Sequence, residues 1–207
     1  MFIILSLLTL VSAGLCIRAD YAGKPQQVYA FKPLTMVFII AIALLEESTI
    51  SDTYKLLIIG GLLFSVIGDV WLMLPDDRFV QGLISFLIAH IFYIAAFTTV
   101  GDNLASPLLL IPMAVFAGGV FWYLRPALGK YLMPVVVYML VILVMGWQSF
   151  NRLDVEAGGL AAVVGALLFM LSDSILAINR FRQHFHLAQL LILGTYFAAQ
   201  WFIAQSI

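Results

Sequence analysis

The chain has 207 residues, of which 64% are hydrophobic and 10% are charged, and its mean hydropathy is +1.10. Soluble domains have roughly 45–50% apolar and about 25% charged residues, so this composition excludes a cytosolic enzyme and a disordered regulator. The net charge of −1 shows no excess of basic residues, so the composition also excludes a nucleic-acid-binding protein. The single cysteine, Cys16, excludes an intramolecular disulfide. The composition therefore predicts a protein of the lipid bilayer.

Eight apolar runs follow one another along the chain. They are Met1–Ile17, Pro33–Leu45, Lys55–Leu74, Phe79–Val100, Leu104–Leu124, Tyr131–Phe150, Ala157–Ile178 and Leu187–Ile207. The first run lacks the charged region of a signal peptide, so we interpret it as a retained span. The second run is short and crosses a bilayer only if Gln26–Phe31 extends it.

The connections between the runs are short, as at Pro75–Arg78 and Gly101–Asn103. Apolar runs of this length satisfy their backbone hydrogen bonds in lipid only as helices. We therefore predict an all-α, polytopic membrane protein with about eight transmembrane helices, forming a single domain over residues 1–207.

The basic residues predict the orientation of these spans. Eight of the ten Lys and Arg residues fall in odd-numbered connections: Arg18, Lys24, Lys32, Arg78, Arg125, Lys130, Arg180 and Arg182. Only Lys55 and Arg152 fall in even-numbered ones. The positive-inside rule then predicts a cytoplasmic location for the odd connections and a non-cytoplasmic location for both termini. The acidic residues of the even connections do not contradict this orientation: Glu46, Glu47, Asp52, Asp102, Asp154 and Glu156.

The two halves of the chain resemble each other at an offset close to half its length. The string Gly61-Leu-Leu-Phe64…Gly68-Asp69 is similar to Gly165-Ala-Leu-Leu-Phe169…Ser172-Asp173, and Tyr93 aligns with Tyr196. An even number of spans per half predicts a parallel 4+4 repeat, with halves 1–103 and 104–207 related by an axis along the membrane normal. Asp69 and Asp173 would then lie at equal depth, about one turn inside the cytoplasmic boundary.

Asp69 and Asp173 are the only carboxyl side chains well inside the apolar runs. A carboxylate in a membrane is costly unless it pairs, faces water or is protonated, so such residues usually mark a functional site. The alternative is a structural pair, in which each aspartate caps a helix or accepts a hydrogen bond from a Tyr or Trp.

Polar residues share helix faces with these aspartates or form similar faces on other spans. The faces consist of Gly61, Ser65 and Asp69 in span three; Gly82, Phe86, His90, Tyr93 and Phe97 in span four; Ala166, Phe169 and Asp173 in span seven; and Gln189, Tyr196 and Gln200 in span eight. Because polar groups facing lipid are costly, we expect these faces to point inward toward one polar pocket.

His90 is the only histidine inside a span and is a candidate base, proton relay or hydrogen-bonded packing residue. A zinc site would need His90 together with His184 and His186, or the aspartates, and the spacing matches no familiar metal pattern. Lys32 opens span two, either as an interfacial anchor or as a phosphate contact.

Five strings occur together in one order along nearly the whole chain: Lys32-Pro-Leu-Thr35, Leu63-Phe-Ser-Val-Ile-Gly-Asp69, Phe86…His90…Tyr93, Leu168-Phe-Met-Leu-Ser-Asp173 and Tyr196-Phe-Ala-Ala-Gln200. This ordered set resembles the YhhN-like family of lysoplasmalogenases. The resemblance implies hydrolysis of the vinyl ether bond of a 1-alkenyl lysophospholipid to a fatty aldehyde and a glycerophospho-base, without a metal or organic cofactor. Its partners would be the lysophospholipid substrate and membrane lipids, with no nucleic acid.

Vinyl ether hydrolysis needs a proton donor and an ionised partner, which two carboxyls also provide in glycosidases. The expected catalytic residues are Asp69, Asp173 and His90. The expected substrate-binding residues are Lys32, Ser65, Tyr93, Tyr196 and Gln200.

A small proton-coupled transporter is the alternative, because repeats with intramembrane acids and a histidine are also typical of that class. Two features weigh against it. Both acids lie toward one surface and not at the midplane, and neither acid-bearing span contains a proline.

Overall fold

The structure is a computed structural model that describes residues 1–48, 50–99, 105–154 and 158–207. Within these ranges the chain forms eight α-helices and no β-strand, which confirms the all-α class. The helices are α1 Phe2–Tyr21, α2 Pro25–Leu45, α3 Asp52–Met73, α4 Phe79–Thr98, α5 Pro107–Leu128, α6 Leu132–Ser149, α7 Gly159–Phe181 and α8 Ala188–Ala204. Short 3₁₀ segments, Gly129–Tyr131 and Phe150–Asp154, follow α5 and α6.

The largest difference from the predicted spans concerns α2. This helix starts at Pro25, eight residues before the apolar run, because a proline at the first helical position has no N–H to leave unsatisfied. Lys32 is therefore two turns inside the helix, and the expectation that it opens the span is wrong. Pro33 follows it within the same helix.

Several predicted features lie outside the described residues. They are the connection Gly101–Asn103, the acidic residues Asp102 and Glu156, and the run boundaries Val100, Leu104 and Ala157.

Among the described residues, six helical segments are long and apolar enough to cross a membrane. Five of them are α1 to α4 and α7. The sixth is the stretch Pro107–Leu153, which contains both α5 and α6 and the short turn between them. The remaining helix, α8, is apolar but has only 17 residues. Large apolar side chains such as Leu10, Val115 and Trp122 cover the outer surface, as expected for a surface in contact with lipid. The exact number of spans stays a prediction.

Helices that are neighbours in the chain form the main packing units. The most extensive contacts join α3 to α4, α7 to α8 and α1 to α2, and α4 also packs on α6. Helix α8 contacts α1, α2 and α3, which brings the last helix against the first part of the chain. The buried side chains between these helices form one large core that includes residues of the predicted polar faces.

The odd-numbered connections meet at one end of the molecule. Asp77, between α3 and α4, accepts hydrogen bonds from Arg180 at 2.7 Å and from Tyr131 at 2.9 Å. The hydrogen bond from Tyr131 is the main cause of a lowered pKa of Asp77. Tyr21, at the end of α1, donates to the carbonyl of His186 at 2.7 Å. The connections that carry most of the basic residues therefore share one end, as their alternation predicts.

Candidate active site

Asp69 is buried in the core and is held by two partners. Its side chain is 1% exposed, and its Oδ1 lies 2.8 Å from the ammonium of Lys32 in α2. Its Oδ2 accepts a hydrogen bond from the Tyr196 hydroxyl in α8 at 2.6 Å. Both contacts favour an ionised carboxyl, because a cation and a hydrogen-bond donor stabilise the negative charge.

A chain of polar side chains continues from Asp69 into the core. The Tyr93 hydroxyl donates to Oε1 of Gln200 at 2.7 Å, and Ser65 donates to the Gly61 carbonyl one turn earlier in α3 at 2.9 Å. The Nε2 of Gln200 is buried and has no hydrogen-bond partner within the part of the chain that the structure describes. This polar cluster, formed by Ser65, Asp69, Tyr93, Tyr196 and Gln200, therefore retains a free donor.

Asp173 has different surroundings. Its carboxyl accepts a hydrogen bond from the Tyr138 hydroxyl in α6, and no cation lies within ion-pair distance of it among the described residues. Asp69 and Lys32 are close enough to act on it electrostatically, without direct contact. Helix α7 continues to Phe181, so Asp173 lies two turns before its helix end, whereas Asp69 lies one turn before the end of α3.

His90 lies between the two aspartate groups but contacts neither carboxyl. Its ring is fully buried, with centroids 4.6 Å from Phe169, 5.2 Å from Tyr138 and 6.4 Å from Tyr93. Among the described residues, neither ring nitrogen has a well-aligned hydrogen bond. His184 and His186 are exposed at the end of the molecule, so the three histidines do not come together.

A cavity of about 380 Å³ with charged residues in its lining, here called the vestibule, opens near the end that carries the odd connections. Its charged lining residues are Asp20, Lys24 and Lys32, and Tyr29 and Gln189 add polar groups. Because Lys32 both lines the vestibule and contacts Asp69, its ammonium connects the cavity to the buried carboxyl.

A second, apolar cavity lies between α4, α5, α6 and α7 and is here called the chamber. It encloses about 60 Å³, and Asp173 and Tyr138 are among its few polar lining residues. Phe116 in its wall is 43% exposed on the lipid-facing surface. Leu72 and Leu176 line both cavities. Each leucine follows an aspartate by three residues and therefore shares its helix face, so the boundary between the cavities lies one turn from both carboxyls.

The structure brings most of the predicted site residues together in two groups. Lys32, Ser65, Tyr93, Tyr196 and Gln200 surround Asp69, and His90 lies beside Tyr138, the partner of Asp173.

The sequence analysis did not identify Tyr138, Asp20, Lys24, Leu72 or Leu176 as site residues. Tyr138 interrupts a run of valines, leucines and methionines, and this isolated polar group was the available signal. The two leucines gave no signal, because leucine is abundant in every span.

Comparison with known proteins identifies relatives over most of the chain. Lysoplasmalogenase TMEM86A of Bos taurus is 36% identical over 153 residues, covering 70% of this chain and 62% of the relative. Lysoplasmalogenase TMEM86B of Homo sapiens is 36% identical over 160 residues, covering 75% and 65%. The chain therefore spans less than two thirds of the length of these relatives.

A membrane protein named YhhN from Escherichia coli O157:H7 is 28% identical over 204 residues and covers 95% of both chains. The comparison with solved structures gives no match. The apolar helices and these membrane relatives identify a multi-pass membrane protein. The sequence model of the YhhN family matches residues 27–207, and the chain belongs to this family.

Proposed function

We propose that the protein hydrolyses the vinyl ether bond of lysoplasmalogens, releasing a fatty aldehyde and glycerophosphoethanolamine or glycerophosphocholine. The observation that carries this proposal is a pair of carboxyls with different surroundings. Asp69 is joined to the charged vestibule through Lys32, and Asp173 lines the apolar chamber. The lysoplasmalogenases among the mammalian relatives support the substrate class.

The two cavities suit the two ends of a single-chain lysolipid. The phosphate-bearing head group would occupy the vestibule, and the start of the alkenyl chain would occupy the chamber. Because the chamber is small and Phe116 is exposed on its wall, the rest of the chain would extend past Phe116 into the bilayer. The vinyl ether would then cross the boundary at Leu72 and Leu176, beside both aspartates.

The surroundings of the two carboxyls support different roles. Asp69 is paired with Lys32, so it acts as the ionised partner that stabilises a cation and activates water. Asp173 has only Tyr138 as a direct polar partner and faces the apolar chamber, so it acts as the proton donor.

The reaction balances with these two groups and one water molecule. Asp173 transfers its proton to the β-carbon of the vinyl ether, and the double-bond electrons form the new C–H bond, leaving an oxocarbenium ion. Water attacks the carbon attached to oxygen while Asp69 takes one of its protons, which gives a hemiacetal. The hemiacetal hydroxyl returns a proton to Asp173, Asp69 protonates the departing glycerol oxygen, and the aldehyde leaves.

The polar cluster around Asp69 provides a place for the attacking water. Gln200 has a free Nε2 donor, and Tyr93 orients the amide by donating to its Oε1. His90 supports the site from the side of Asp173: its ring packs on Tyr138 and keeps that hydroxyl directed at the carboxyl. We therefore assign His90 a positioning role, because it touches neither carboxyl.

Aldehyde release by the purified protein in detergent tests the proposal directly. A 1-alkenyl lysophospholipid should give one aldehyde per molecule cleaved, and the saturated 1-O-alkyl analogue should give none. Absence of aldehyde, together with lysolipid-dependent proton flux in proteoliposomes, would instead support a proton-coupled transporter.

We further infer eight membrane spans in a 4+4 parallel repeat, with the vestibule open to the cytoplasm and, in a bacterium, with the protein in the inner membrane. The matching packing of α3 on α4 and of α7 on α8 supports the repeat. So do the equivalent positions of Leu72 and Leu176 at the cavity boundary. The clustering of basic residues at the vestibule end supports the orientation.

A further inference from the structure

The mouth of the vestibule carries charges of both signs. Asp20 lies near the end of α1, and Lys24 lies in the connection to α2. Among the described residues, neither Asp20 nor Lys24 takes part in an ion pair. Asp20 and Lys24 thus face one cavity without a direct ion pair, and the Lys32 ammonium deeper in the same cavity acts on Asp20 only electrostatically.

The position of these charges along the chain sets their order in the vestibule. Lys32 marks the inner wall, where its ammonium contacts Asp69. Lys24 lies eight residues before Lys32, at the N-cap of α2, so the backbone positions of the two residues are about 12 Å apart along the helix axis. This separation leaves room for a glycerol unit between the reacting bond and a phosphate at Lys24.

We propose that Asp20 and Lys24 form a head-group site for a zwitterion, with the phosphate at Lys24 and the terminal ammonium at Asp20. The inference rests on the proposed function for the direction in which the lipid lies, and it adds the residues that select its head group. Tyr29, in the lining of the same cavity, provides an aromatic ring, and such rings attract both primary and quaternary ammonium groups. A phosphate monoester, which has no ammonium, would leave Asp20 unpaired and facing a second negative charge.

Binding of non-hydrolysable lipids tests this site independently of catalysis. The ligands are 1-O-alkyl-2-lysoglycerophosphoethanolamine, the corresponding 1-O-alkyl-2-lysoglycerophosphate and 1-O-alkylglycerol, all with the same chain. Their Kd values are measured for the full-length protein in detergent by tryptophan fluorescence. Asp76→Asn is the matched control for charge, because Asp76 is an exposed carboxyl at the same end and outside the vestibule.

Asp20→Asn should weaken binding of the ethanolamine ligand about tenfold, near the lower end expected for a charged hydrogen bond, and leave the phosphate ligand unchanged or tighter. Asp20→Glu should retain the preference for the ethanolamine ligand. Lys24→Met should weaken both phosphate-bearing ligands about tenfold and leave 1-O-alkylglycerol unchanged.

Equal effects of Asp20→Asn on the ethanolamine and phosphate ligands, or no effect on either, would overturn the head-group site. Failure of the proposed function is a separate result, because it is read from aldehyde release by the unmodified protein with a vinyl ether substrate. If Asp20 discriminates between the saturated ligands but the protein releases no aldehyde, the head-group site is supported and the hydrolase proposal is contradicted.

Discussion

The two aspartates differ in their nearest partners. Asp69 has an ammonium at 2.8 Å and a tyrosine hydroxyl at 2.6 Å, whereas Asp173 has a tyrosine hydroxyl and faces an apolar cavity. A carboxylate that loses its water is stabilised by a cation much more than by a neutral donor. This difference makes the residues unequal although they occupy related positions in the sequence.

Replacing either aspartate by asparagine should lower turnover by at least about 10²-fold, the low end for general acid–base catalysis. The pH–rate profile of the unmodified protein should be bell-shaped. If Asp173 is the donor, Asp173→Asn should remove the alkaline limb of the residual activity, and Asp69→Asn should remove the acidic limb. Initial rates of aldehyde release across a pH series measure both effects.

The matched control for these variants is Asp76→Asn, which removes an exposed carboxyl at the same end of the protein. This variant should retain normal turnover. Near-normal turnover of either Asp69→Asn or Asp173→Asn would disprove the two-carboxylate mechanism and return His90 to consideration as the proton donor.

Lys32→Met should lower thermal stability in detergent, because it leaves the buried Asp69 carboxylate without its cation. Removing one partner of a buried ion pair typically costs about 3–5 kcal/mol, while removing both costs much less. The double variant Lys32→Met/Asp69→Asn should therefore be more stable than Lys32→Met alone, and a double-mutant cycle of Tm values measures the coupling.

The effect of Lys32→Met on activity should not depend on a phosphate group. Its ion pair with Asp69 exists whether or not the ligand carries phosphate, so phosphate-bearing and phosphate-free alkenyl substrates should both lose turnover. A loss confined to the phosphate-bearing substrate would show that Lys32 acts mainly as a phosphate contact.

Close helix packing depends on small residues at the contacts between helices. A Cβ at Gly165 in α7 would lie 2.9 Å from the carbonyl oxygen of Ala199 and 3.0 Å from the backbone nitrogen of Ile203, both in α8. Backbone atoms cannot rotate away as a side chain can, so the two helices would have to separate. Because α8 also carries Tyr196 and Gln200, this contact helps to position the polar cluster.

Gly165→Ala should therefore destabilise the protein by about 1–3 kcal/mol, the range for overpacking, and lower its turnover. The control is Gly118→Ala in α5, where an added Cβ meets no atom within 4 Å. This control should be neutral or slightly stabilising, because alanine favours a helix more than glycine does. Equal Tm changes for the two variants would contradict a tight α7–α8 contact at Gly165.

At the scale of the whole molecule, hydrogen bonds join the odd-numbered connections at one end. Asp77 contacts Tyr131, in the connection between α5 and α6, and Arg180, in the last turn of α7. The pKa of Asp77 is lowered in the folded protein. These contacts therefore stabilise the folded protein fully at pH values above the unfolded pKa of about 3.9, and this stabilisation is lost as the pH falls through the folded pKa. Asp77→Asn should therefore lower Tm slightly at pH 7, and the difference from the unmodified protein should disappear at strongly acidic pH.

The basic residues at this end predict that it faces the cytoplasm and that Ile207 lies on the other side. A reporter active only outside the cytoplasm should therefore function when fused after Ile207, and a reporter active only in the cytoplasm should not. The same reporters inserted at Asp76 should show the reverse pattern. Strong cytoplasmic activity from the fusion at Ile207 would reverse the orientation and turn the vestibule to the opposite face.

Much of the helical architecture could be predicted from apolar runs, because a backbone in lipid has few ways to satisfy its hydrogen bonds. The apolar run alone put the start of the second span at Pro33, because Gln26 and Gln27 lower the local hydropathy. The structure shows the extension through Gln26–Phe31 on which the span depended, since α2 starts at Pro25. Asp69 and Asp173 were recognisable because a carboxyl inside an apolar run is rare and costly.

The sequence by itself determined the helical class, the bilayer as the surrounding medium and the two acidic positions, because hydropathy and its interruptions are local properties that can be read along the chain. Only the tertiary structure decided that Lys32 and Tyr196 bind Asp69 and that Tyr138 binds Asp173. It also decided that Leu72 and Leu176 share the boundary of two cavities. These contacts depend on which helices become neighbours, and many weak packing interactions across the whole bundle determine that arrangement.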